Sequence, residues 1–397
     1  MGLVAQTLMA PVSSQQRRGP LSGLKIIELA GVGPGPMGAT ALADLGATVL
    51  RIDRKQPSGL GLKRPLRYDL LLRSRKSIQL DLKDPTAVAA VLSLIERADA
   101  LIEGFRPGVA ERLGLGPNIC LQRNPRLAYG RMTGWGQTGP LAQTAGHDLG
   151  YIAVTGVLQA IGRRGAPPSI PFNLIGDYAG GGLYLALGLL AAILEARGSG
   201  KGQVVDAAIV DGTAALATSL YGMHAAGMLP GERGTNMTDS GSHFYDVYQC
   251  ADGGWLAVGP IEPKFYAELL RLLEIDPAQL GAQLDPAQWP RAKQILAEKF
   301  RTRSRDEWAA LFAPTDACVA PVLDWEEAPH HPHLAARGTF VEVDGVTQPA
   351  AAPRFSRTPP DAPSAPAAVT PANSEAALAA WLNADELAQW RQRGLIG

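Results

Sequence analysis

The sequence is poor in whatever would staple, anchor or charge it. Cysteine occurs three times in 397 residues, at Cys120, Cys250 and Cys318. The three are far apart and odd in number, which excludes a disulfide framework and the common zinc spacings. Free buried thiols are expected, in a reducing compartment, and hence a cytoplasmic protein. No charge of either sign is left over: 37 Lys+Arg balance 37 Asp+Glu, so bulk charge announces no nucleic-acid partner. Long hydrophobic runs are missing too. The longest, "LYLALGLLAAIL" at residues 183–194, falls short of the roughly 20 residues a membrane span needs, and no membrane association is expected. At the N-terminus the arginines follow a weakly apolar stretch, the reverse of a secretory leader, so residues 1–18 read as a disordered extension.

What the chain does have is apolar bulk, 46% hydrophobic against 19% charged residues, enough for about two to three ordinary domains. "LKIIEL" (24–29) and "ATVLRID" (47–53) read as strands flanking a Gly loop and a helix from Pro36 to Leu45, a βαβ unit that predicts a parallel sheet. The alternation continues. "SIQLDL" is a strand candidate, and "DPTAVAAVLSLIERA" opens with Asp84 as N-cap and Pro85 at the first helical position. "DALIEGF" and "RLAYGRMTGWG" follow as further strands. Residues 20–205 thus read as one doubly wound domain. Residues 204–227 read as a long Ala-rich helical connector, and "FYDVYQCADGGWLAVGPIEPKFYAELLRLL" as a hairpin and helix of a smaller α+β unit reaching about residue 325. A Pro/Ala-rich extended stretch (345–372) and an amphipathic helical tail end the chain.

"GVGPGPMGAT" (31–40) carries Gly33, Gly35 and Gly38 as G-x-G-x-x-G, with Asp53 twenty residues after Gly33, the spacing of a dinucleotide fingerprint. Its chemistry disagrees. Pro34 and Pro36 have no N–H, and a pyrophosphate at a helix N-terminus is held largely by such groups. A thioester needs fewer donors. Three readings stand: a tight turn alone, a dinucleotide loop, or the wall of another ligand's site. Arg54, with Arg73, Arg75 and Lys76 of "LRSRKS", forms either a solvated basic face or a set of phosphate contacts. The "HHPH" cluster (His330, His331, His333) is broken by Pro332 and reads as a surface turn, so no metal is expected.

The segments "PLSGLKIIELAGVGPGPMGATALADLGATVLRIDR", "LIEGFRPGVAERLGLGP", "RMTGWGQTGPLAQTAGHDLGYIAVTG", "NLIGDYAGGGLYLALG" and "KGQVVDAAIVDGTAAL" together resemble the family III CoA transferases (CaiB/BaiF type), within them the α-methylacyl-CoA racemase branch. The resemblance runs over roughly residues 19–360. It implies an α/β fold, a Rossmann-like large domain with a parallel sheet plus a smaller α+β domain, in an interlocked homodimer. The implied division is 19–205 for the large domain, 206–235 for a linker helix, 236–325 for the small domain, and 326–397 for a return segment whose helix packs on the large domain. The substrate implied is an acyl-CoA, with no cofactor beyond the coenzyme A it carries. Val32, Arg54, Arg73, Ser74, Arg75, Lys76, Gly146, Asp148 and Tyr151 are the implied substrate contacts, although the 73–76 run departs from the family's Gly-Lys-Arg-Ser pattern.

In the racemase branch two acid/base groups work on opposite faces of C2, and they fall here on His147 of "AGHDLGY" and Asp177 of "LIGDYAGGG", with Glu262 of "GPIEPKFY" beside them. Removing a proton next to a thioester gives an enolate, and its return on the other face inverts the centre. Glycines after Asp177 are expected to let ligand atoms approach the backbone. The rival within the family is CoA transfer through an acyl- and then a CoA-thioester on Asp177. A non-catalytic CoA-binding protein and a nicotinamide-dependent dehydrogenase are the other readings.

Overall fold

The computed structural model describes residues 17–56, 59, 61–229 and 231–396. The chain divides into two compact units. The first comprises residues 1–146, 176–212 and 340–397; the second comprises 147–175 and 213–339. Of the expected disordered extension, residues 1–16 lie outside the described residues. Arg17 donates to Ser74 O at 2.8 Å and Arg18 pairs with Asp361 at 2.8 Å.

The first unit is built on a six-stranded, wholly parallel sheet: β1 (Lys25–Leu29), β2 (Thr48–Asp53), β3 (Lys76–Gln79), β4 (Ala100–Glu103), β5 (Ala128–Thr133) and β6 (Gln203–Ala208), in spatial order 3-2-1-4-5-6. This is the doubly wound order, whose topological switch lies between β1 and β4. The βαβ reading holds at both ends of the first crossover. Helix α1 spans Pro34–Asp44 and helix α2 spans Pro85–Ile95, with the Asp84 side chain accepting from Thr86 N. One sheet face buries Ile27, Leu29, Leu50, Ile52 and Ile78 against α2 and the chain's last helices, which contribute Leu378, Trp381 and Trp390. Those helices, Pro371–Leu378 and Ala384–Gln392, therefore complete the core of the first unit.

β6 corrects one expectation. Residues 204–208, expected to head the Ala-rich helical stretch, pair with β5 instead, in a strand that runs from Gln203↔Ala128 to Ala208↔Thr133. Helices follow only at Ile209–Leu216 and Thr218–Ala225. The Val-Val pair decides locally, because β-branched residues suit an edge strand better than a helix. The division of the chain also differs from the expected one: residues 147–175 and 326–339 fall in the second unit. The apolar run Leu183–Leu194 sits in a longer helical segment, Leu174–Ser199, which by length and composition could cross a membrane. Its part in the first unit packs on β5, β6 and α1.

The second unit carries an antiparallel sheet, β7 (Asp246–Gln249), β8 (Trp255–Val258) and β9 (Val319–Val322). The "ADGG" turn closes the expected hairpin, with Gly253 at φ 84° and Cys250 N bonded to Gly254 O. The helix Pro263–Leu273 buries Tyr266, Leu269, Leu270 and Leu273 on one stripe. With Phe244, Phe300, Trp308 and Phe312 these residues form the second unit's core.

Candidate functional site

In open parallel sheets, ligands bind outside the carboxyl ends of the strands, at the switch point. The loop "GVGPG" leaves β1 there. Gly33, at φ 69°, caps α1, which begins at Pro34 rather than at the expected Pro36. Proline is preorganised for the first helical position, so it starts the helix instead of delaying it. Of the first four helical donors, Pro34 and Pro36 have none and the Met37 N–H is taken by Gly33 O at 3.2 Å. One donor, Gly35, is left for a ligand. A pyrophosphate needs several, so the dinucleotide reading of this loop fails on its own geometry.

Asp177 lies half-buried in a π-helical stretch, Leu174–Leu183, a form often found at functional positions. A Cβ on Gly33 would stand 3.2 Å from Asp177 Oδ2, so the carboxylate rests against the glycine loop. Two of the three glycines after it also serve packing. A Cβ on Gly181 would meet Pro34 Cβ at 2.8 Å, one on Gly182 would meet Met37 Cβ at 2.9 Å, and one on Gly38 of α1 would meet Gly182 O at 2.7 Å. Gly181 and Gly182 thus admit α1, and the close helix packing is what brings Asp177 to Gly33.

Arg54 follows the last residue of β2. It is exposed, with its guanidinium 5.9 Å from the centre of the Phe105 ring, just beyond β4. Val32 is half-exposed on the loop. Phe105 was not singled out from the sequence, although its place after the apolar run "LIE" at a strand's carboxyl end is a usable signal.

The basic run does not form the solvated face or the phosphate contacts considered for it. Arg73 is buried, with Nη2 2.5 Å from Asp44 Oδ2 and Nη1 bonded to Gln348 Oε1 and Pro349 O. Ser74, at φ 62°, donates its N–H to Ser364 O. Arg75 is buried in an ion pair with Glu28, and that burial lowers its pKa. Lys76 Nζ is exposed but bonded to Ala376 O at 2.9 Å. Arg73, Ser74 and Lys76 stitch the returning segment to the sheet edge, and Arg75 serves the interior. A sequence shows that charges are adjacent; only the fold shows that their partners lie from 29 residues away, as Asp44 does from Arg73, to 300, as Ala376 does from Lys76.

In the second unit, His147 follows Gly146 and is the N-cap of the helix Asp148–Val154, as expected from "AGHDLGY". Its carbonyl accepts from Gly150 N (2.9 Å) and Tyr151 N (3.3 Å), and its side chain is exposed. Asp148 and Tyr151 are buried on that helix. Glu262 caps the helix Pro263–Leu273 with its backbone and leaves its carboxylate exposed. Among the described residues no hydrogen bond joins Glu262 to His147. Asp177 belongs to the other unit. Near Glu262 lies a residue that sequence reasoning set aside: Cys318 is exposed, contrary to the expected buried thiol, with φ 52°. Partial burial, then the Glu262 charge, raises its pKa. It lines a groove of about 390 Å³ with Tyr245, Val258, Gly259 and Ala320. No cluster of potential metal ligands occurs among the described residues; the "HHPH" run forms a short turn and opens the helix Pro332–Arg337.

Several known proteins are similar. Alpha-methylacyl-CoA racemase of Mus musculus is 44% identical over 85% of this chain and 87% of its own length, and that of Homo sapiens is 44% identical over 85% and 90%. Acetyl-CoA:oxalate CoA-transferase of Acetobacter aceti is 30% identical over 86% and 90%. The crystal structure of a CAIB/BAIF family protein from Brucella suis shares the fold, with a TM-score of 0.77 at 24% identity over 94% of this chain and all of that one. The family model for CoA-transferase family III matches residues 21–392, and with the switch-point loop and the parallel sheet in place the chain belongs to CoA-transferase family III.

Proposed function

We propose that this protein interconverts (R)- and (S)-2-methylacyl-CoA thioesters by proton transfer at C2. The observation that carries the reading is the 44% identity to two alpha-methylacyl-CoA racemases over most of the chain, in a sequence that has His147 and Asp177 in the branch's motifs. One of the two bases takes the C2 proton, the electron pair moves onto the thioester oxygen, and the conjugate acid of the other base returns a proton to the opposite face. In this scheme the dimer brings Glu262 to the catalytic groups, where it sets the His147 tautomer. Backbone N–H groups at the head of the His147-capped helix stabilise the enolate oxygen. Arg54 holds a phosphate of coenzyme A. The reaction as written calls on no cofactor and no metal.

The protein works as an interlocked homodimer on this reading. Support comes from the helix Tyr184–Ser199, which is apolar on both sides. Its inner face packs on the sheet, while Leu187 and Leu194 remain 62% and 74% exposed, with Leu183 just before them 47% exposed. A helix that is apolar all round is normally covered all round.

The test is incubation with (S)-2-methylacyl-CoA in heavy water. Deuterium at C2 together with formation of the R isomer is expected. An unlabelled C2, with CoA instead moving to an added carboxylic acid, would replace racemisation by CoA transfer through Asp177.

A further inference from the structure

We propose that Arg51 and Glu28 are positioning residues for proton transfer at Asp177, acting through the Gly31–Gly33 loop. The proposal rests on the reading that Asp177 is one of the two acid/base groups. Glu28 on β1 is fully buried and stands in register with Arg51 on β2. A buried carboxylate has to be paired. Its Oε1 accepts from Arg51 Nη1 at 2.6 Å, and its Oε2 from Arg75 Nη1. Arg51 spends the rest of its fork elsewhere. Nε reaches both oxygens of Asp53, at 3.1 and 3.2 Å, and Nη2 reaches the Gly31 carbonyl at 3.4 Å.

Ala30 N is bonded to Ile52 O and Gly33 O accepts from Met37 N. Between those two points the Arg51 guanidinium reaches the loop backbone at the Gly31 carbonyl. Two residues after Gly31, Gly33 lies against Asp177. The cluster is expensive for a device of stability alone. Buried ion pairs are commonly matched or bettered by apolar packing, and here Arg75 keeps Nε and Nη2 buried with no hydrogen-bond partner. What an ion pair supplies and packing does not is a rigid, directional donor on a loop carbonyl. Catalysis is sensitive to that, because a displacement of about 1 Å at a catalytic group can lower the rate about 100-fold.

The experiment compares wild type, Arg51→Lys, Asp53→Asn and Arg131→Lys for C2 deuterium exchange and thermal unfolding. Arg51→Lys keeps the charge and loses the fork. Its kcat is expected to fall about 10- to 100-fold, with KM held within about threefold. Arg131 forms a buried pair with Glu103 at 2.9 Å in the same sheet and a second pair with Glu111 at 2.8 Å, and among the described residues its side-chain hydrogen bonds go to those two carboxylates and not to the Gly31–Gly33 loop. Arg131→Lys is expected to lower the unfolding temperature comparably while kcat stays within about threefold of wild type. Asp53 is partly exposed, so Asp53→Asn loosens the same guanidinium without threatening the core, and a severalfold loss of kcat is expected. Equal kcat losses in Arg51→Lys and Arg131→Lys, a change in KM alone, or an unchanged kcat in Asp53→Asn overturns the proposal. Wild-type protein that does not exchange C2 takes down the racemase reading itself, and the positioning role with it.

Discussion

At the scale of single residues, equal charges meet different fates. His147 and Glu262 stay exposed and Asp177 half-buried, and the exposed Arg54 lies against the Phe105 ring. Arg73 and Arg75 carry the same charge as Arg54, yet each is closed off by a carboxylate. His147→Ala and Asp177→Ala are each expected to lower C2 deuterium exchange about 100-fold or more, measured by mass spectrometry of the recovered thioester; near-normal exchange in either removes that residue from the reaction. Arg54→Ala is expected to weaken acyl-CoA binding about tenfold, the size of one lost charge-assisted contact to phosphate. Titration calorimetry with a non-reacting thioester reads this directly, and unchanged affinity excludes Arg54 as a contact.

At the scale of elements, two contacts carry most of the consequence. The π-helical stretch meets α1 over glycines, so Gly182→Ala forces a methyl group against Met37 and the Pro34 carbonyl, each 2.9 Å away. A cost of about 1–3 kcal/mol is expected, as for overpacking elsewhere, read from urea unfolding. C2 exchange should fall with it, because α1 carries Gly33 at its head. In the second unit, His243 is fully buried with Nε2 2.6 Å from the Tyr266 hydroxyl. Burial first, then the Lys293 charge, lowers its pKa to about 4. The unfolded chain binds that proton near pH 6.5 and the folded one only near pH 4. This contribution to stability is therefore complete above about pH 6.5 and is lost as the pH falls from there toward 4. His243→Gln keeps an acceptor for Tyr266 and should flatten the slope of unfolding midpoint against pH in that window; an unchanged slope assigns the acid sensitivity to other groups.

At the scale of the whole molecule, the chain returns on itself. Residues 340–396 come back to the first unit, where Trp381 and Trp390 enter a core begun some 350 residues earlier by Ile27 and Leu29. The exposed leucines of the helix Tyr184–Ser199 leave one large apolar face still to be covered. Sedimentation of the wild-type protein is expected to give a dimer, and Leu187→Glu, a charge placed at the middle of that face, is expected to shift it toward monomer. A wild-type monomer at micromolar concentration would reject the homodimer.

The amino-acid sequence by itself determined the βαβ beginning, the caps at Asp84 and Pro85, the hairpin around "ADGG", and the two motifs that carry His147 and Asp177. Each of these is written in neighbouring residues: turn glycines, strand alternation, a cap beside its helix. Tertiary structure decided what depends on partners far along the chain. It gave "QVVDAA" to the sheet, because β5 offered an open edge. It turned Arg73, Ser74 and Arg75 inward and tied the exposed Lys76 down, because Asp44, Glu28 and the returning segment supply their partners. It set Gly181 and Gly182 of the Asp177 stretch against α1, because that helix needs a close approach there. The spacing of "GVGPGPMGAT" looked like a nucleotide loop along the chain. Its prolines already spoke against that along the chain, and in space the Met37 N–H spent on Gly33 O and the nearby carboxylate of Asp177 complete the case.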